Sequence, residues 1–242
     1  MARTRRRSIG DVCYHVINRG NRKERVFHDD VDYRRFIHLL TLANERVPIR
    51  ALAWCLMPNH FHLLIWPWAD GDLSRWMQWL MTTHVRRHHL RYDTTGRIWQ
   101  GRYKAFPVQQ DHHLITVLRY VERNPLRAGL VERAEHWPWS SLSNRVSGQM
   151  PVFWHAGPTP RPVDWVGYVN QPERKGELAK LQRCAQRQTP FGDEAWVLST
   201  ARQLGLMWTI RSRGRPRLEQ KKESVPIGSP IGSHRSGRPH PG

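Results

Sequence analysis

Apolar residues recur at two different periods over the first 145 positions, and the switches between periods mark the elements. From 11 to 18 (DVCYHVIN) β-formers dominate, and the run stops at the turn signal Asn18-Arg19-Gly20-Asn21, so a strand followed by a basic loop is expected. Asp29 or Asp30 then offers a cap to a segment whose apolar positions Tyr33, Phe36, Leu39, Leu40 and Ala43 keep the helical period up to Pro48. Residues 50–57 (RALAWCLM) and 60–66 (HFHLLIW) are two further strand-like runs separated by the turn formers Pro58-Asn59. A second amphipathic helix starts at Asp72 and carries Leu73, Trp76, Met77, Leu80, His84 and Val85 on one stripe. It ends in the cationic stretch Arg86-Arg87-His88-His89. Residues 103–109 (YKAFPVQ) read as a fourth strand with Pro107 at an edge or bulge. Asp111 caps a third helix with core positions Leu114, Val117, Leu118 and Val121, and Asn124-Pro125 is expected to end it, since a residue before proline avoids the α region.

The order strand, helix, strand, strand, helix, strand, helix predicts an α+β, ferredoxin-like (split βαβ) antiparallel sheet with one added helix. The expected organisation is a basic arm (1–10), a catalytic domain (11–145), a variable extension with one short helix at 192–206 (146–218), and a disordered tail (219–242). The extension is rich in Pro and Gly with scattered Trp, and the tail carries a tandem Pro-Ile-Gly-Ser repeat.

Charge sharpens this picture. Lys and Arg number 39 against 20 Asp and Glu, a formal net charge of +19 that would make a compact chain repel itself without an anionic partner. Nucleic acid is the natural one. No apolar run approaches the roughly 20 residues that span a bilayer, and the basic opening lacks the apolar core of a signal peptide, so no membrane partner and a cytoplasmic location are expected. Cys13, Cys55 and Cys184 show no CxxC spacing, which suggests neither a disulfide framework nor a zinc ribbon.

The chemistry gathers in two places. On a strand, alternation sends Phe61, Leu63 and Ile65 to one face and His60 and His62 together to the other, where two imidazoles form a chelate. Tyr120 and Asn124 are four residues apart on the third helix, hence on one face beside its apolar stripe. Two histidine nitrogens, an amide oxygen and open positions suit Mg²⁺ or Mn²⁺, which accept phosphate oxygens. A metal there polarises a scissile phosphate, and a tyrosine hydroxyl can attack phosphorus to give a 5′-phosphotyrosine and a free 3′-OH. Candidates for phosphate contacts are Arg19, Arg22 and Lys23 in the first loop, Arg86, Arg87 and His88 at the second helix end, and Arg97, Arg102 and Lys104 before the fourth strand. Trp99 is a candidate for stacking on an unpaired base, and Arg213 to Arg217, with Arg213 and Arg215 as contacts, resembles an AT-hook core.

Three segments, Met57-Pro58-Asn59-His60-Phe61-His62-Leu63-Leu64, Trp99-Gln100-Gly101-Arg102 and Tyr120-Val121-Glu122-Arg123-Asn124-Pro125-Leu126-Arg127-Ala128-Gly129-Leu130-Val131, resemble the HUH single-tyrosine insertion-sequence transposases, most closely the REP-associated group. The likeness covers roughly residues 8 to 145. It implies a ferredoxin-like catalytic domain acting on single-stranded or hairpin DNA, a divalent metal at His60 and His62, a nucleophile at Tyr120, and Asn124 as the polar third ligand. Whether the active unit is a monomer or a homodimer is left open. Competing readings are a non-catalytic ferredoxin-like nucleic-acid-binding module, a replication-type HUH nickase, and a zinc hydrolase using Cys55, His60 and His62.

Overall fold

The structure, a computed structural model, describes residues 7–173 and 175–211. The first six residues of the basic arm, Arg213 and Arg215 of the AT-hook-like segment, and the tail from 219 lie outside the described residues. Four strands, β1 (Cys13–Arg19), β2 (Ile49–Met57), β3 (His60–Pro67) and β4 (Lys104–Val108), form one sheet in the order β2-β3-β1-β4, with every neighbouring pair antiparallel. The first crossover runs through α1 (Asp30–Arg46) and the second through α2 (Asp72–Tyr92), after which α3 (His112–Glu122) follows β4. This is the ferredoxin-like arrangement with its added helix. The Asp29 side chain accepts from the amides of Val31 and Asp32 at the start of α1, and that of Asp111 from His113 at the start of α3, which satisfies donors a helix leaves unpaired.

Both faces of the sheet are covered. Phe61, Leu63 and Ile65 of β3, with Val16 and Trp54, pack under Phe36 and Leu40 of α1 and Trp76 and Leu80 of α2. On the other face Leu64, Cys13, Phe106 and Val108 meet Leu114, Val117, Leu118 and Val121 of α3. Proline chemistry places Pro107 at an edge or bulge, and β4 is an edge strand.

The region after α3 departs from expectation in two ways. The helix stops at Arg123, one residue earlier than the Asn124-Pro125 pair suggests, and the chain resumes as a short helical turn, α4 (Asn124–Arg127). Pro125 is tolerated there because the first turn needs no amide donor. The extension is also far more helical than a single short segment: α5 (Ser141–Ser147), α6 (Trp165–Asn170), α7 (Lys175–Arg187), α8 (Glu194–Leu204) and α9 (Met207–Ile210) follow. It is bound to the core by what it covers. The amide of Ala51 donates to Phe153 at 3.0 Å and that of Leu56 to Trp139 at 2.9 Å along the β2 edge. At the β4 edge the Phe191 amide donates to the Pro107 carbonyl at 2.9 Å. Both open edges of the sheet, which would otherwise template pairing with other chains, are occupied in this way.

Trp165, Val169, Leu181, Cys184 and Phe191 of the extension complete the α3 side of the core. Within it lies Glu122, fully buried, whose carboxyl oxygens accept from the Ser141 hydroxyl at 2.5 Å and from the Trp165 indole N–H at 2.6 Å. This joins α3 to α5 and α6. Glu122→Ala orphans the Trp165 indole N–H, leaves the Ser141 hydroxyl only the longer contact to the Trp54 carbonyl, and opens a cavity, so the protein is expected to lose on the order of 3 kcal/mol of stability. Urea denaturation reads this directly, and a loss under about 1 kcal/mol contradicts the anchoring role.

Candidate active site

The β2–β3 hairpin and its neighbours set His60. The Gly20 amide donates to the Asn59 carbonyl at 2.7 Å, and the Asn59 side-chain amide donates to the Lys23 carbonyl at 3.0 Å. That second bond fixes which end of the amide is oxygen, and the oxygen lies 2.6 Å from His60 Nδ1. An amide oxygen only accepts, so Nδ1 carries the hydrogen and Nε2 is left as a free lone pair. Only glycine fits at position 20: an added Cβ would sit 2.3 Å from the Glu24 carbonyl oxygen. His62, opposite Ile17 in the register of β1, faces the same way, with ring centroids of the two histidines 5.0 Å apart.

Tyr120 comes to the same place from α3. Its ring meets those of His62 and His15 edge-on, at 5.6 and 5.8 Å between centroids. The Asn124 amide nitrogen donates to the Tyr120 carbonyl at 3.3 Å, so its oxygen is not engaged by that bond. His60, His62, Tyr120 and Asn124 all line one cleft of about 790 Å³, together with Arg19, Arg102, Lys104 and Arg127. Two imidazoles, an amide oxygen and open space match the donor set of a hard divalent ion with room for phosphate oxygens. Cys55 does not join them: its thiol contacts Met57 Sδ at 3.6 Å, and burial, with Glu122 adding to it, pushes its pKa well above the usual thiol value. Among the described residues, the one cluster of three His, Cys, Asp or Glu at ligand distance is Asp111-His112-His113. It sits at the N-terminal end of α3, where the helix dipole disfavours a cation.

Residues 8–124 match the model of the IS200-like transposase family. A REP-associated tyrosine transposase of Escherichia coli K12 is 24% identical over 163 residues, covering 66% of this chain and 87% of that protein. A Haemophilus influenzae chain given the same description provisionally is 29% identical over 126 residues, 47% of this chain and 71% of its own length. A solved structure of a REP-associated tyrosine transposase bound to a REP hairpin aligns with a TM-score of 0.48 and 23% identity over 64% of this chain and 92% of that one. Residues 8–124 are thus similar to the IS200-like transposases.

The cations divide sharply by position. Arg19, Arg102 and Lys104 are exposed and line the cleft, while Arg22 and Lys23 are exposed in the tight turn beside His60. Arg97 lines a second cavity of about 1260 Å³ along α2, which meets the first at Gln100, Gly101 and Arg102. Arg86 and Arg87 are exposed on α2, outside the lining of either cavity. Two expectations fail. Trp99 is 5% exposed and packs edge-on against Phe61 at 5.2 Å and beside Phe27 and His84, so it stacks on the core and not on a base. The cause is backbone pairing: Asn21 donates to Ile98, and Gln100 to Arg19, which turns the intervening Trp99 inward. His88 lies against Tyr92 and His28 with both ring nitrogens shielded, so it makes no phosphate contact.

Four contributors were not foreseen from the residues alone. Asn59 orients His60; its place between proline and the histidine is the sequence signal. His15 touches His62, and its spacing from Ile17 and Cys13 on the first strand puts it on that face. Arg127 stacks its guanidinium over the Tyr120 ring at 4.2 Å and pairs with Glu173 through two contacts of 2.9 Å. Helix α7 supplies a wall through Gln182, Ala185 and Gln186.

Burial dominates the electrostatics of the site. It lowers the His60 pKa to about 4 and the His15 pKa to about 3, with Arg19 adding to the first and Arg127 to the second, and it takes His62 well below its ordinary value. All three rings are neutral at pH 7, the form that ligates metal. Burial raises the Tyr120 phenol, while Arg127 pulls it back. His84, enclosed by Phe27, Phe36 and Trp99, is likewise lowered to about 3 by burial. The unfolded chain protonates these histidines near 6.5, whereas the folded protein resists until pH 3 to 4. The unfolded state thus binds more protons across that window, so stability is full above about pH 6.5 and falls as pH drops below it, by about 1.4 kcal/mol per pH unit for each such histidine. Urea midpoints at pH 7, 6 and 5 should decline in step. A flat profile contradicts the buried neutral assignment.

Proposed function

We propose that this protein is a transposase that cleaves and rejoins single-stranded, hairpin-associated DNA through a 5′-phosphotyrosine at Tyr120, with Mg²⁺ or Mn²⁺ held by His60, His62 and Asn124. The convergence of Tyr120 with the two histidines in one cation-lined cleft carries this reading. The similarity of residues 8–124 to the IS200-like transposases and the REP-associated relatives support it.

The residues divide the work. Arg19, Arg102 and Lys104 draw the DNA backbone into the cleft by charge, a sequence-independent attraction that weakens with salt. Tyr120 presents its hydroxyl from a helix pinned on its other side by Glu122. The phenol oxygen attacks phosphorus, its proton passes to solvent in the open cleft, and the bond from phosphorus to the 3′ oxygen breaks. The departing 3′ oxygen takes up a proton and becomes a free 3′-OH, while the 5′ phosphate stays on the tyrosine. Attack by a 3′-OH on that linkage reverses the exchange and frees the phenol, so no nucleotide is consumed. A bound divalent ion supplies Lewis-acid polarisation of the scissile phosphate. Arg127 places positive charge over the Tyr120 ring, which favours the negative charge that the phenol carries.

Incubation with single-stranded and hairpin oligonucleotides plus Mn²⁺ is expected to give an SDS-stable protein–DNA adduct. EDTA abolishes it, and Tyr120→Phe abolishes it while oligonucleotide binding stays within about threefold of wild type. An adduct formed by the Phe variant removes Tyr120 as nucleophile, and adduct formation in EDTA removes the metal.

A further inference from the structure

His15 has no place in the reaction just described, yet it is fully buried beneath it. It sits on β1 between Phe106, whose ring it meets edge-on at 5.0 Å, and Tyr120. Its Nε2 lies 2.9 Å from His62 Nδ1. At that separation one nitrogen carries a hydrogen and the other accepts it. The two arrangements differ in consequence. If His15 Nε2 donates, His62 holds its remaining hydrogen on Nε2 and cannot ligate a metal through that atom. If His62 Nδ1 donates, its Nε2 is a free lone pair, as the Asn59 contact already makes that of His60. His15 then carries its own hydrogen on Nδ1, an atom that is buried and has no partner among the described residues.

We propose that His15 is a positioning residue that accepts the His62 Nδ1 hydrogen and so holds His62 in the metal-ligating tautomer. The inference rests on the reading that His60, His62 and Asn124 hold a divalent ion. A ligating histidine whose second nitrogen donates to a fixed acceptor is held in both tautomer and ring orientation, and loss of such an acceptor typically weakens metal binding 10- to 100-fold. His15 Nδ1 lacks a partner in either arrangement and so does not choose between them, whereas an ion bound at His62 Nε2 selects the form in which that atom is a free lone pair.

The test measures Mn²⁺ affinity of the full chain by calorimetry, without DNA. His15→Leu, which keeps the apolar volume but offers no acceptor, is expected to bind Mn²⁺ about 10- to 100-fold more weakly than wild type. His15→Gln, whose amide oxygen can accept, is expected to recover most of that loss, which a purely space-filling role for His15 would not produce. Unchanged affinity in a folded His15→Leu protein, or equal losses in Leu and Gln, overturns the proposal. Should the Leu variant not fold, ¹⁵N imidazole spectra of wild type with Zn²⁺ decide it: hydrogen on Nδ1 of both His15 and His62 is expected, and hydrogen on His15 Nε2 overturns it. A wild-type chain that binds neither ion defeats the metal reading itself and takes this inference with it, whereas wild-type binding with an unaffected variant defeats the role of His15 alone.

Discussion

The alternation of side chains along β3 is the constraint on which the rest depends. Phe61, Leu63 and Ile65 must enter the core under α1 and α2, and this alone forces His60, His62 and Leu64 to the opposite face. A one-residue slip of β3 would exchange the two sets, burying imidazoles in an apolar layer and exposing phenylalanine and leucine. The register is held from both sides, by Trp54 opposite Leu63 on β2 and by Val16 opposite Leu63 on β1. Packing energy on one face therefore fixes the chemistry on the other.

The second face is unusual in serving two purposes. Toward Val108 and Leu114 it is an ordinary apolar interior, while toward Arg19 and Lys104 it opens as a cleft lined by cations. His15 and His62 sit at the boundary, dry enough to stay neutral and close enough to the opening for His62 to reach it. Neutral imidazoles beside arginines remain attractive to an anion, because the positive charge belongs to side chains that keep it at any ordinary pH. The extension contributes to both parts: Phe191 and Trp165 close the dry end, and α7 walls the wet one.

The fold was legible because its elements announce themselves by period, cap and turn, from the Asp29 and Asp111 caps to the Pro58-Asn59 hairpin. The histidine pair and Tyr120 were legible for the same reason, since strand alternation and helix position are local properties. What stayed hidden depends on contacts distant in sequence. The tie between His15 and His62 spans 47 positions and needs the pairing of β1 with β3, which no window of residues displays. Trp99 among cations looks like a stacking platform until the pairing of Asn21 with Ile98 turns it inward. Helix α7 does carry a helical stripe in Leu178, Leu181 and Cys184, but the Pro and Gly of the preceding thirty residues mask it. Arg127 lies within the quoted motif, and its stacking on Tyr120 follows from the turn at Arg123, which the proline alone places one residue too late.

The environment of Tyr120 bears on why such a site could run in both directions, on the reading proposed above. A phenoxide is ordinarily a better leaving group than a sugar alkoxide, so a phosphotyrosine formed in water is biased toward return of the phosphate to a hydroxyl. Burial raises the phenol of Tyr120, which makes its anion more alkoxide-like and narrows that bias. The same burial would make attack harder if nothing opposed it. Arg127, stacked on the ring, opposes it, and its charge is tempered in turn by Glu173. A phenol balanced between a dry wall and a partly neutralised arginine is suited less to speed in one direction than to comparable barriers in both, which is what exchange of one DNA end for another requires.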